Sequence, residues 1–320
     1  MARVTAVVPT YNGAAYLEQT LASVAAQTYD DWDAVIVDDG SADDCPEIGR
    51  RFASRHPGRV QAIRLERNVG VAEARNTGIR AAGGELVALL DQDDYWREDF
   101  LERAVALYDD AVASGRRVGI VSANARIHGP DGPADVTWAQ LAGWRDEIDY
   151  SAMLRHNYVV ARALFPKAAW EEVGGFSPGC GGSDDYDMWL RMMEAGWEIV
   201  ATREPLTFYR RHELSMSRDK VLMNDGAVVA LRRALARGSQ TRAQRRIARA
   251  AIRHHRALGV RAELAAALYE RRLLRAARLS LQAVPTGVIA FVQRPGRWYE
   301  WIRRATRSGG GAAHHRLDIP

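Results

Sequence analysis

Two periodicities alternate through the first third of the chain. Short runs rich in Val, Ile and Leu stand at 4–8, 33–37, 60–65 and 86–90. Between and after them, at 14–27, 44–55, 71–82 and 98–113, apolar residues recur every three or four positions. The first pattern predicts buried strands and the second amphipathic helices. Their βαβα order predicts an α/β fold with a doubly wound, mainly parallel sheet. Such sheets take ligands beyond the carboxyl ends of their strands. Three polar clusters fall at those ends: Pro9-Thr10-Tyr11-Asn12, Asp38-Asp39-Gly40-Ser41 and Asp91-Gln92-Asp93-Asp94. From 118 to 218 the pattern is less regular, with frequent Gly and Pro, and predicts mixed strands and short helices. After 225 the chain becomes helical in pattern and rich in Ala, Leu and Arg.

The run Leu86–Leu90 stops abruptly in carboxylates. Charge delivered to a sheet edge carries a desolvation cost. Hard cations such as Mg2+ or Mn2+ prefer oxygen ligands of this kind and bridge them to phosphates. A solvated turn is the plainer explanation for an isolated D-x-D, but three clusters at one sheet edge argue for a shared site. Asp39 suits a base N–H or ribose hydroxyl, while Ser41 by itself suits an N-cap. In Asn68-Val-Gly-Val-Ala-Glu-Ala-Arg75-Asn76-Thr-Gly78, Gly70 permits a tight entry into a helix. Arg75 has the forked geometry that meets a diphosphate. In Ser183-Asp184-Asp185-Tyr186-Asp187, Ser183 is a candidate N-cap that puts the acids in the first helical turn.

In order and spacing, five stretches resemble glycosyltransferase family 2: VVPTYNGAAYLEQTLASVAAQTYDDWDAVIVDDGSADD, NVGVAEARNTGIRAAGGELVALLDQDDYW, VGGFSP, SDDYDMWLRMMEAG and YRRHELSMS. They cover about 4–217. The resemblance implies a GT-A fold and an inverting, metal-dependent glycosyltransferase. It implies that Pro9, Thr10, Tyr11 and Asp39 hold the nucleotide, with Arg75 near its diphosphate. Asp91 and Asp93 would form the D-x-D element, with Asp93 as the expected metal ligand and Asp94 sharing or replacing it. Where the family carries Glu-Asp, this chain has Asp184-Asp185. The resemblance makes Asp185 the general base that takes the acceptor proton and Asp184, shorter than the usual Glu, an acceptor contact. Arg210 or His212 would approach the diphosphate or the metal. Residues 157–165 fall where acceptor and donor-sugar contacts are expected. The cofactor would be Mn2+ or Mg2+, the donor a nucleoside diphosphate sugar with UDP expected, and the acceptor a glycan or lipid-linked glycan. This frames residues 1–218 as a catalytic domain, with a nucleotide-sugar half at 1–95 and an acceptor half at 96–218.

Net charge is +4 but unevenly divided, for residues 225–320 hold 20 Arg, no Lys and 5 acids. That segment is therefore +15 and the remainder −11. An acidic body with a basic extension, 219–307, implies two surfaces. Arg242, Arg245, Arg246, Arg249, Arg253 and Arg256 share one helical face, as do Arg271, Arg272, Arg275 and Arg278. A packed appendage with a solvated Arg face explains one such helix. The whole points to an anionic membrane surface, with Val288–Val292, Trp298, Tyr299 and Trp301 as an interfacial anchor. No motif for nucleic acid accompanies the charge. Residues 308–320, Gly- and Ala-rich, predict a disordered tail. Two cysteines make no disulfide framework, which fits a reducing compartment, and the amino terminus lacks a signal-peptide core. The expectation is a cytoplasmic protein, peripheral on the inner membrane face. Two rival functions remain: a degenerate transferase serving as a membrane scaffold, and a nucleotidyltransferase. The second calls for a cationic Gly-rich loop after the first strand, and PTYNGAAYLEQ has no cation.

Overall fold

The computed structural model describes residues 2–129, 132–145, 147–159, 162–213 and 215–269. Residues 270–320, with the second arginine face, the aromatic anchor and the Gly-rich tail, lie outside the described residues.

The first half alternates as expected: β1 (Val4–Thr10), α1 (Ala14–Ala25), β2 (Trp32–Asp38), α2 (Cys45–Arg55), β3 (Val60–Arg64), α3 (Val71–Ala81) and β4 (Leu86–Leu89). Then come β5 (Tyr95–Trp96), α4 (Phe100–Ala113), β6 (Val118–Gly129), β7 (Gly132–Thr137), α5 (Trp138–Ala142) and α6 (Tyr150–Met153). The elements of the sheet close with β8 (Ala163–Pro166), α7 (Lys167–Glu172), α8 (Asp184–Glu194) and β9 (Glu198–Arg210). Two long helices follow, α9 (Lys220–Arg237) and α10 (Arg242–Tyr269).

The strands form one sheet in the order β3-β2-β1-β4-β8-β6-β9-β5, with β7 on the edge of β6. β3, β2, β1 and β4 are parallel throughout. Beyond β4 the sheet is mixed: β8 is antiparallel to both β4 and β6, while β6 and β9 run parallel. β1 is buried along its whole length, as a central parallel strand covered on both faces must be. Its alternating side chains divide the core. Ala6 and Val8 join α1, α2 and α4 on one face. Val7, Val87 and Leu89 join α3, α8, α9 and α10 on the other. α1, α2 and α4 therefore cover one face and α3 the other, and the ligand side of such a sheet is at the carboxyl ends of its parallel strands.

The long strands β6 and β9 were the part the pattern hid. Register shifts at 118/120, 123/124 and 124/125 interrupt their pairing, and an extra residue breaks the two-residue alternation. The basic extension is no loose appendage over its described part. Ala227, Val228, Ala230, Leu231 and Ala234 of α9 and Ala248, Ala251 and Ile252 of α10 are buried in the core shared with α8. Gly238 (φ 77°) ends α9 in the left-handed region, and Thr241 and Gln244 reciprocally cap α10.

Candidate active site

The three sheet-edge clusters meet, and backbone geometry makes them meet. After β1, Asn12 takes a positive φ of 49°. Its N–H donates to Ser41 Oγ (2.9 Å) and its Oδ1 accepts from Ala42 N (2.8 Å). Ser41 thus ties two loops together instead of capping α2. Asp39 N donates to Thr10 O (2.8 Å), and the Asp39 carboxylate accepts from Val69 N (2.7 Å) and Gly70 N (2.9 Å). Asp39, Thr10 and the entry to α3 are one hydrogen-bonded unit, with Asp39 almost wholly buried. Tyr11 remains exposed at its rim.

Gln92, passed over in the sequence, locks this unit to the acidic loop. Its Oε1 accepts from Tyr11 N and Thr10 Oγ1 (2.7 Å each), and its Nε2 donates to Tyr11 O (3.0 Å). A Cβ on Gly13 would lie 2.2 Å from the Gln92 side chain, so only glycine admits it there.

The three acids of the 91–94 loop have three different surroundings. Asp91 accepts from the buried Arg75 at 2.6 Å. Burial opposes the Asp91 anion, yet Arg75 outweighs it and holds the carboxyl below its ordinary value. Arg75 also feels Asp185 and Asp184, so it stands between the two carboxylate clusters. Its guanidinium lies 5.4 Å from the Phe176 ring centre.

Asp93 faces outward. Its Oδ2 is 2.8 Å from His212 Nε2. The His212 ring rests 4.4 Å from that of Tyr16, and its buried Nδ1 has no partner among the described residues. Asp94 is turned the other way. It is 1% exposed, with one oxygen paired to buried Arg162 and the other accepting from Arg210 N (2.8 Å). Burial pushes its carboxyl up, against the pull of Arg162. Both oxygens are engaged from within the protein. Arg162 also escaped the sequence reading. The available signal was an Arg inside the apolar stretch Val159–Phe165, because a buried cation needs a partner.

Arg210 sits beside this pair. Its Nε donates to Asp93 O (2.8 Å), and its guanidinium lies 4.9 Å and 5.5 Å from the Tyr16 and Tyr95 ring centres. Arg210 therefore braces the acidic loop through its backbone.

The second cluster opens α8. Ser183 makes no side-chain cap; its Oγ donates to Met223 O of α9 (3.3 Å). Asp184 accepts from Cys180 N (2.9 Å) and holds the preceding Gly-rich loop. It also borders a cavity of about 320 Å3 lined by Val69, Gly182, Met216 and Leu222 among others. Asp185 accepts only a local bond, from Tyr186 N (2.7 Å), and is 8% exposed. Burial pushes its carboxyl up to about 6, with Arg75 restraining the rise. Asp187 is the structural member. It pairs with Arg191 (3.0 Å) and with Arg237 of α9 (3.1 Å). Arg191 in turn donates to Val173 O and to Gly175 O. Asn76 fastens the next residue, accepting from Phe176 N (2.8 Å) and donating to Phe176 O (2.9 Å).

Among the described residues no three His, Cys, Asp or Glu side chains converge into a metal cage. What exists is a carboxylate and an imidazole nitrogen side by side at the crevice. This pair suits a divalent ion that completes its shell with phosphate oxygens and water.

The family model for glycosyl transferase family 2 matches residues 5–173. The chain belongs to that family. It is similar to the putative teichuronic acid biosynthesis glycosyltransferase TuaG of Bacillus subtilis, 27% identical over 219 residues, 68% of this chain and 82% of TuaG. It covers smaller shares, 20% and 38%, of two other curated relatives. Among solved structures it is similar to the mannosyltransferase PcManGT of Pyrobaculum calidifontis in complex with GDP-Man and Mn2+. There the TM-score is 0.65 and the identity 25%, over 95% of this chain and 84% of that one. S. aureus TarS 1-349 in complex with UDP-GlcNAc matches at TM-score 0.63 and 17% identity, over 82% of this chain and 80% of that one. The fold of this family 2 protein is GT-A, with Arg75, Asp91, Asp93, Asp185 and His212 gathered about one crevice.

Proposed function

We propose that this family 2 protein is an inverting, metal-dependent glycosyltransferase. It transfers a sugar from a nucleoside diphosphate, with UDP the first base to test, to a hydroxyl of a glycan or lipid-linked glycan in polysaccharide biosynthesis. One observation carries the reading. Asp185 is a buried carboxyl with no cation bonded to it, tuned to about 6, across Arg75 from Asp91 of the acidic loop. A base works best with a pKa near the working pH, and this one is mostly ionised at neutrality. Asp185 takes the proton of the acceptor hydroxyl as its oxygen attacks the anomeric carbon. The nucleoside diphosphate departs from the opposite side, and the configuration inverts. Asp93 and His212 would hold Mn2+ or Mg2+, which when bound offsets negative charge on the departing diphosphate. Arg75, fixed by Asp91, stands where it opposes the same charge. The loop of Pro9, Thr10 and Tyr11, pinned by Gln92 and Asp39, forms the nucleotide wall. Relatives named for teichuronic acid biosynthesis and for complexes with GDP-Man and UDP-GlcNAc support the donor and acceptor classes.

The test is thermal-shift binding of a nucleotide-sugar panel with and without Mn2+, since a ligand of the native state raises the midpoint by mass action. A Mn2+-dependent rise with one nucleoside diphosphate sugar is the expected result. A folded sample that responds to no nucleotide would sink the transferase reading in favour of a scaffold.

A further inference from the structure

Helix α10 carries a surface that the transfer chemistry leaves unused. Arg242, Arg245, Arg246, Arg249, Arg253 and Arg256 are all exposed. At helical spacing they fall within an arc of about 100°, along a ridge roughly 22 Å long. No hydrogen bond or ion pair ties the side chain of any of the six to another described residue. The helix cannot roll to bury them. Ala248, Ala251 and Ile252 are seated in the core, Ile247 packs against it, and His255 Nδ1 meets Asn224 Oδ1 of α9 at 2.8 Å. Packing therefore fixes the ridge toward solvent.

The ridge repels itself. Arg242/Arg246, Arg245/Arg249 and Arg249/Arg253 are like charges four residues apart, a spacing that destabilises a helix. The described helix offers one acid, Glu263, outside the ridge. An external anionic surface would relieve this repulsion. A straight ridge on a convex helix touches a plane along its whole length. Residues 242–256 contain no Phe, Trp or Tyr on which a base could stack.

We propose that the α10 arginine ridge docks the protein on an anionic lipid bilayer. The proposal is independent of donor, acceptor and metal. The experiment is co-sedimentation of the full chain with vesicles of phosphatidylcholine alone or mixed with phosphatidylglycerol. Binding is expected only to the mixed vesicles. It should weaken as ionic strength rises and be insensitive to inorganic phosphate at matched ionic strength. Each arginine near an acidic leaflet is worth roughly fivefold in partitioning. The triple variant Arg245→Gln, Arg249→Gln, Arg253→Gln should therefore lose about a hundredfold. Its thermal midpoint should hold or rise, because like charges are removed, so lost binding is not lost folding. Three results overturn the proposal: equal binding to both vesicle types, a triple variant that binds as the parent does, or displacement of vesicles by nucleic acid at matched phosphate concentration. The second would move the contact elsewhere on the chain.

Discussion

Replacing Asp185 by Asn should make the protein more stable and nearly inactive at once. The ordinary Asp carboxyl titrates near 4, and burial carries Asp185 to about 6. At about 1.4 kcal/mol per pH unit, keeping that carboxyl ionised costs the fold about 3 kcal/mol at pH 8. The sign follows from proton uptake. Between those two values the folded state binds more protons than the unfolded one, so stability rises as pH falls. The penalty is full above about pH 7 and fades through 6 toward 4. Asn removes it while its Oδ1 still accepts from Tyr186 N. Allowing for relaxation around the charge, a gain of about 1–3 kcal/mol is expected at pH 8, or roughly 1.5–4.5 °C in midpoint. The assay is thermal unfolding of both proteins from pH 8 to pH 5, with sugar transfer measured alongside. A variant no more stable than the parent at pH 8, or a gain that does not shrink toward pH 5, would refute the argument that burial strains this carboxylate. Parent activity should fall as pH drops below about 6, when Asp185 takes up its proton.

Asp93→Ala and His212→Ala should each abolish the Mn2+-dependent nucleotide shift and lower turnover about a hundredfold, with little effect on the ligand-free midpoint. Gln92→Ala removes the clamp on Tyr11 and should cost about 1–3 kcal/mol in urea unfolding, with a higher KM for the donor. Gly226→Ala would place a Cβ 1.9 Å from Cys180 O; a loss of about 1–3 kcal/mol is expected, and an unchanged urea midpoint would show that α9 is not seated on the α8 loop.

The parallel half of the sheet was legible because β1, β2 and β4 are covered on both faces and read as apolar runs. Their carboxyl ends follow from topology alone, so the convergence of Thr10, Asp39 and Asp91 could be anticipated. β6 and β9 could not be read in the same way, since their bulges erase the alternation that reports a strand. Side-chain allegiance was less legible still. Asp93 and Asp94 are neighbours in sequence, but one faces His212 and the other a buried Arg162. Which carboxylate points outward is decided by partners 68 and 119 residues away, and no local pattern carries that information.

The same lesson applies to the three acids that open α8, which a helix dipole alone would explain. The fold gives each a separate task. Asp184 holds the loop before the helix, Asp185 is left without a cation bonded to it, and Asp187 is bound by Arg191 and Arg237. Through Arg191 the last of these also holds Gly175, and Asn76 fastens Phe176, against which Arg75 lies. A charge pair this deeply buried contributes little net stability, but loss of one partner is costly. Its effect is to fix direction: α9 holds α8, α8 holds the loop before it, and that loop backs the arginine between the two carboxylate clusters. The basic extension thus has two working sides. Its inner side holds the helix that carries the base, and its outer side turns the arginines of α10 toward solvent.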